Sequence, residues 1–451
     1  MNKELGNRVL GRWDSVAISI GIVIGAGIFR VPSEVVPHIA SPVWILIAWS
    51  LGGLYSFLGS LCYAELATRF PDTGGDYVFL RECYGKLTAF LFAWSELLIT
   101  RTGSVAAIAL MFGEFAIKFL PYHAKTGEWE VKTLAVSVIM ALSACNLLGL
   151  KTGSRLQNAL TILKILAISF VIIVGLFAMK APANNLDFAH FMSKETLSTF
   201  SLFNLGVALV PIMWAYGGWR DNLFLAGETK EPTSSLPFAL FLSCIAVTVI
   251  YVLMNFLYLW FLPLEQIRHA KLVGTDLLSV ICGQAGEASS RLLGIFIMVY
   301  ALGTVNALLL TGSRIASAMS LDNPLFASLG KLDEKRQTPV RGILFNGLWS
   351  CLLVFALSFE RLLYFTGFSV WIFFAMVAAS IIKLRYQKSD TTNNRESDKF
   401  YTPLFPLIPA VVAIVALFLA LSTLMDYKIE SLCGMAIIFC GVPLFFFQKK
   451  N

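Results

Sequence analysis

Apolar runs of roughly twenty residues recur from one end of this chain to the other, and each is long enough to cross the hydrocarbon core of a bilayer. Twelve such runs can be counted, at 13–37, 41–67, 87–120, 133–150, 156–179, 199–226, 236–262, 287–318, 341–358, 361–385, 403–423 and 431–448. In lipid every backbone N–H and C=O must find a partner inside the protein, so runs of this length cross as helices. Only 14% of the residues are charged and 57% are apolar, against about 25% charged in a soluble globule. The longest polar stretches, 319–340 and 386–402, have room for loops or short surface helices. The reading is an all-α integral membrane protein, a single transmembrane domain over 1–451 with twelve transmembrane helices.

The start, "MNKELGNRVLGRW", is polar, and the first apolar run is too long for the h-region of a signal peptide. The first span is therefore expected to act as its own insertion signal. An even number of spans places both termini on one side. The loops of that side hold the larger share of Lys and Arg, among them Lys331, Lys335, Arg336, Arg341, Lys383, Arg385 and Lys388. Both termini are thus expected to be cytoplasmic. This asymmetry accounts for the net charge of +7, and basic residues spread over short loops do not make a nucleic-acid surface. The eight cysteines lie mostly within apolar runs and form no CxxC pair, so they read as small buried hydrophobes. His38, His123, His190 and His269 fall at predicted outer loops or span ends with no shared spacing. Neither a metal site nor another cofactor is expected.

One run contains a contradiction. In "SIGIVIGAGIFRVPSE" at 19–34, Gly21, Gly25 and Gly27 crowd the middle of a span, although glycine costs about 1 kcal/mol relative to alanine in a helix interior. Span six repeats the pattern in "MWAYGGWRDNLFLAGETKEP", with Gly217 and Gly218 adjacent. The two spans occupy the same place in successive sets of five. Matched interruptions of this kind point to inverted-repeat transporters, whose helices unwind at mid-membrane and line a polar cavity with freed backbone groups. Half-helix N-termini suit a carboxylate, and freed carbonyls suit an ammonium. Together they fit the common core of an α-amino acid. Close helix packing is the other reading of such glycines, and two breaks in register weaken it. The candidate substrate contacts are Ile24, Gly25, Ala26 and Gly27 on the first break, and Trp214, Ala215, Tyr216, Gly217, Gly218 and Trp219 on the second.

Ionisable residues inside spans are functional candidates by default. Lys164 lies about nine residues inside span five, roughly 13 Å deep at 1.5 Å per residue. Its stem can snorkel part of that distance. Burial favours the neutral amine and carbonyl partners the ammonium, so a fixed tether and a proton carrier both stay open. Glu96 and Arg101 stand five positions apart in span three, which on an α-helix is about 140°, so they are not expected on one face. A structural ion pair reached through a neighbouring helix and a place on the substrate path are the alternatives. Arg220 and Asp221 follow Trp219. Near a pocket the guanidinium would repel a cationic side chain and the carboxylate would do the reverse; beyond it, both would pair with other helices.

Three stretches in order carry a family resemblance: "GIVIGAGIFRVP" at 21–32, "YAELATRFPDTGGDYVFLRECYG" at 63–85, and "AYGGW" followed by "GETKEP". With Glu65, Pro71, Gly74, Gly75 and Tyr77 in place, the chain resembles the amino acid–polyamine–organocation permeases. Within them it is most similar to the bacterial relatives of the L-amino-acid transporter light chains. The motifs carry the resemblance over about the first 345 residues.

The resemblance implies the LeuT-like fold, a five-plus-five inverted repeat with discontinuous helices 1 and 6. Spans 1–5 would then form one repeat at 13–180 and spans 6–10 the second at 199–385, with spans 11–12 added at 403–448. It also implies that Lys164 stands where sodium-coupled cousins hold the ion, touching carbonyls of the Gly25–Gly27 break and tying it to spans five and eight. Trp214 stands where the family places an aromatic lid, usually phenylalanine. Ala26 replaces a common serine, and Arg220 replaces an uncharged polar residue.

The implied activity is secondary transport by alternating access, with exchange or uptake of neutral L-amino acids and no sodium. Proton-coupled symport, antiport of cationic amino acids or polyamines, and a non-transporting amino-acid sensor are the alternatives. The absence of a GxxxxGK[ST] loop argues against direct ATP drive, and no nucleophile–base or metal constellation supports an intramembrane enzyme. Eukaryotic light chains join a heavy chain by a disulfide in the loop between spans three and four. That loop, 118–132, has no cysteine here, and the chain has no N-x-[ST] sequon. A stand-alone subunit in a bacterial cytoplasmic membrane is therefore expected.

Overall fold

The first apolar run folds as two helices, α1 (Arg12–Val23) and α2 (Gly27–Val35), bent by 42° at the break. A computed structural model describes this and the rest of the chain over residues 8–25, 27–39, 41–119, 127–179, 201–270, 272–283, 286–333, 335–387 and 399–448. Ala26 and the loop segment 120–126 thus lie outside the described residues, as do His123 and His190.

The chain continues through α3 (Pro42–Arg69), a short α4 (Asp76–Tyr84) and then α5 (Lys86–Ser95). A single π-helical turn, Glu96–Thr100, joins α5 to α6 (Arg101–Ala116) within what the sequence predicts as one span. Next come α7 (Glu128–Leu147), α8 (Leu150–Ala178) and α9 (Leu202–Ala215). After α9 the helix gives way to a turn at 216–220 and a 3-10 segment, Asp221–Glu228. The second half holds α10 (Pro232–Phe261), the short α11 (Leu264–His269) and α12 (Val273–Cys282), and the long α13 (Gly286–Asp322). It closes with α14 (Ala327–Gly330), α15 (Val340–Ala356), α16 (Phe359–Gln387), α17 (Leu407–Asp426) and α18 (Lys428–Gln448).

Among the described residues, nine helices are long and apolar enough to cross a membrane, and the bent pair α1/α2 makes a tenth. The predicted sixth and ninth spans correspond to the shorter apolar helices α9 and α15. Side-chain placement fits lipid outside and protein inside. On α8, Ile162, Leu166, Phe170, Ile173 and Phe177 form an exposed stripe at helical spacing. In water such a patch would be a liability. Lys164 points the other way and is fully buried.

The two interruptions pack on each other. Helix α2 lies against α9, while α1 is held by α8, α10 and α13. Gly218 has φ +104°, a left-handed conformation that favours glycine, and a Cβ there would overlap Ile22 of α1. At Gly27 a Cβ would stand 3.2 Å from the Trp214 ring. Glycine at position 218 is therefore a condition for the two broken helices to meet, while at Gly27 a Cβ would press the indole back by a few tenths of an ångström.

Candidate functional site

A cavity of about 180 Å³ lies between the breaks. Gly25 and Gly27 line it from the first break, and Trp214, Ala215, Gly217, Gly218 and Trp219 line it from the second. Its volume is below the roughly 300–1,000 Å³ of pockets for drug-sized ligands, which suits a solute of amino-acid size. Of the other predicted contacts, Ile24 is fully buried and does not line the cavity, and Tyr216 packs between Trp49 and Tyr251. Ala26 falls at a residue that is not described.

Backbone exposure at the breaks is managed by one residue that sequence reasoning missed. The Tyr251 hydroxyl, on α10, lies 2.6 Å from the carbonyl of Val23 and 3.2 Å from that of Ala215. These are the last residues of α1 and α9, so a single phenol reaches carbonyls at both half-helix ends, the Val23 carbonyl also accepting the Gly25 N–H at 2.7 Å. Its signal in sequence, one tyrosine in an apolar helix, is indistinguishable from core packing.

Lys164 is placed by a ladder along one face of α8. Asn158 donates to the Asp14 carboxylate (2.5 Å), Thr161 to the carbonyl of Ala17 (3.0 Å), and Lys164 to that of Gly21 (2.5 Å). A spacing of three residues keeps the three on one side of the helix. Lys164 also donates to the Thr304 hydroxyl of α13 at 2.9 Å. The lysine thus ties the first span to α8 and α13, but at Gly21. Among the described residues, the expected contact with carbonyls of the Gly25–Gly27 break is not made, because the side chain meets α1 at Gly21, two residues before the helix ends. Thr304 itself lines the cavity.

The remaining charged candidates gather at the cavity wall. Glu96, Arg101, Arg220 and Asp221 all line it. The expectation that Glu96 and Arg101 do not share a face is overturned by the π turn. A wider turn brings position i+5 back beside i, and Arg101 Nε lies 3.2 Å from Glu96 Oε2. Arg101 also grips both carboxylate oxygens of Asp221 and reaches the Thr311 hydroxyl at 3.2 Å. Arg220 pairs with Asp76 at the start of α4 and donates to the Tyr63 hydroxyl (2.7 Å). The two readings of Arg220 and Asp221 therefore merge: they border the cavity and also pair with other helices.

Further ion pairs knit the same part of the bundle. Glu65 receives Arg69 and Arg385 at 2.6 Å each and the Thr402 N–H at 2.8 Å, while Arg314 holds Glu228 at 3.2 Å. On another side of the cavity, Trp214 meets Phe359 edge-on at 6.3 Å, and the Arg30 guanidinium lies 4.2 Å from the centre of the same ring.

Comparison with known proteins gives the family. Residues 10–432 match the amino acid permease family, well past the first 345 residues over which the motifs carry the resemblance. The b(0,+)-type amino acid transporter 1 of Homo sapiens is 27% identical over 84% of this chain and 77% of its own length. The large neutral amino acids transporter small subunit 2 of Mus musculus is 27% identical over 97% and 80%. The cystine/glutamate transporter of Homo sapiens is 29% identical over 96% and 83%. A helical bundle with two facing breaks, a small cavity between them and relatives that are named transporters lead to one assignment: this chain belongs to the amino acid permease family, whose members are transporters and not enzymes.

Proposed function

We propose that the protein exchanges or takes up neutral L-amino acids by alternating access, without sodium. The observation that carries this reading is the pair of glycine breaks packed on each other beside a cavity of amino-acid size. The N-terminus of α2 would receive the substrate carboxylate, since its first N–H groups have no intrahelical acceptor. The Trp214, Trp219, Trp371 and Phe374 rings on the cavity wall favour an uncharged side chain over a strongly hydrated one. Lys164 would take the place of a coupling ion, holding α1 through Gly21 and feeling the cavity through Thr304.

Within this reading the chain crosses the membrane twelve times, as two inverted repeats of five spans, 13–180 and 199–385, followed by 403–448. Both termini face the cytoplasm of a bacterial cell, and the subunit works without a disulfide-linked heavy chain. Alternating access then requires the Arg220–Asp76 tie and the Trp214–Phe359 contact to open at different times. Uptake of labelled amino acids into proteoliposomes tests this. Acceleration by neutral amino acids inside the vesicles, unchanged when sodium is replaced by choline, is the expected result. Binding without any accumulation would instead indicate a sensor.

A further inference from the structure

Four charged side chains line the cavity and a fifth, Asp76, pairs with one of them from behind; their charges do not balance. Three carboxylates, Glu96, Asp221 and Asp76, face two guanidiniums, Arg101 and Arg220, and each of the five is at least nine-tenths buried. Asp221 takes Arg101 through both of its oxygens. Asp76 takes Arg220 and lies 3.2 Å from the Tyr63 hydroxyl. Glu96 is left to share Arg101, through Oε2 alone, at 3.2 Å from both Nε and Nη2. Its Oε1 receives no protein donor among the described residues, and Glu96 lines the cavity.

No described neighbour supplies the missing positive charge. Helix α13 offers the hydroxyls of Thr304 and Thr311, and α16 offers Thr366, Trp371 and Phe374. Lys164 is engaged elsewhere, by Gly21 and Thr304. An ionised carboxylate without compensation is costly in a low dielectric, and it is relieved by taking a proton. The π turn is an independent pointer, because it bulges the helix at Glu96 itself and such turns concentrate at functional sites.

We propose that Glu96 is the proton carrier of a proton-linked amino-acid transport cycle. In the conformation described, the proton enters from the cavity and binds Oε1. When the 3-10 segment moves and carries Asp221 from Arg101 into the path opened to water, where solvent compensates its charge, the freed guanidinium compensates Glu96, and the proton leaves to the opposite compartment with the substrate. This inference rests on the transport reading above and decides between its exchange and proton-linked forms.

The test uses full-length protein in proteoliposomes, with potassium equal on both sides and valinomycin present to clamp the voltage. Labelled leucine reports substrate entry, and a trapped pH dye reports proton entry. For one proton per substrate, each unit of inward pH gradient should raise accumulation about tenfold, and each leucine pulse should acidify the lumen. Leucine entry with no acidification overturns the proton proposal and leaves transport standing. No entry of any amino acid defeats the transport reading itself.

Glu96→Gln then assigns the group. Whatever uptake it retains should neither acidify the lumen nor respond to the gradient, while persistence of both would exclude Glu96. If Glu96→Gln is silent, Glu96→Asp keeps a carboxylate at the same place. Proton-linked uptake restored by aspartate supports the assignment. Silence of both variants in monodisperse protein counts against it.

Discussion

Lys164 and Arg101 are buried basic side chains beside the same cavity, yet their partners differ in kind. Lys164 is 0% exposed and its Nζ is held by two neutral oxygens, the Gly21 carbonyl and the Thr304 hydroxyl. Arg101 is 4% exposed and stands between two carboxylates, Glu96 and Asp221. A basic group among neutral oxygens can leave without stranding an opposite charge. A cation shared by two anions cannot. On the proposed transport reading, the difference is expected to separate a site whose loss is felt in transport from one whose loss is felt first in the fold.

The sharpest way to break this distinction is to remove each charge while keeping the bulk of the side chain. Arg101→Met strands Asp221, and Glu96 whenever it is ionised, in the membrane interior, and breaking a buried pair in this way costs about 3–5 kcal/mol. We expect the variant to unfold at markedly lower temperature in detergent and to express poorly. A thermal midpoint within the scatter of the wild type would mean that the two carboxylates carry protons already and need no partner.

Lys164→Met should behave in the opposite sense. Its partners lose hydrogen bonds of about 1 kcal/mol each, partly offset because an apolar side chain replaces a buried polar one. The thermal midpoint should stay close to the wild type, while initial uptake falls at least tenfold as α1 loses its tie to α8 and α13. Proteoliposomes of equal protein content measure the second quantity and detergent melting the first. Uptake above half of the wild-type rate would remove Lys164 from the transport mechanism.

The sequence makes the two sites unequally legible, and the reason is geometrical. Lys164 stands out because its depth in a span follows from simple counting, and the apolar stripe on α8 opposite to it dictates which way it points. Its partner is one turn away from the expected carbonyls, since sequence marks the glycines but not where α8 crosses α1. The facing breaks were visible in Gly25, Gly27, Gly217 and Gly218, whose spacing from the chain's halves is a property of order alone. The second site was hidden by an assumption of regular α-helix. Five residues of α-helix keep Glu96 and Arg101 apart, and the π turn that unites them has no distinctive composition in "ELLIT". Asp76 was likewise inside a recognised motif, but its partner Arg220 is 144 positions away, a pairing that only the folded chain supplies. Tyr251 is the plainest omission, because its function resides in one hydroxyl among many buried aromatic rings.

The smallest effects give the finest comparison, because a single helix addresses both basic side chains. Thr304 and Thr311 are seven residues apart on α13 and so share one face. The Thr304 hydroxyl donates to the carbonyl of Tyr300 (3.0 Å) and accepts from Lys164 (2.9 Å). The Thr311 hydroxyl donates to the carbonyl of Ala307 (2.9 Å) and accepts from Arg101 (3.2 Å). Valine removes each hydroxyl with little change of shape. In Thr304→Val, Lys164 loses one of two partners, so a cost of about 1 kcal/mol and a several-fold drop in uptake are expected. In Thr311→Val, Arg101 keeps both carboxylates, and the cost should fall to about half of that, with a smaller change in uptake. Measured side by side, the order Thr304 above Thr311 tests whether the scarcity of partners, and not the presence of a charge, governs how much each hydroxyl matters. The reverse order would show that Arg101 depends on Thr311 for its position between Glu96 and Asp221, and that the carboxylates alone do not hold it.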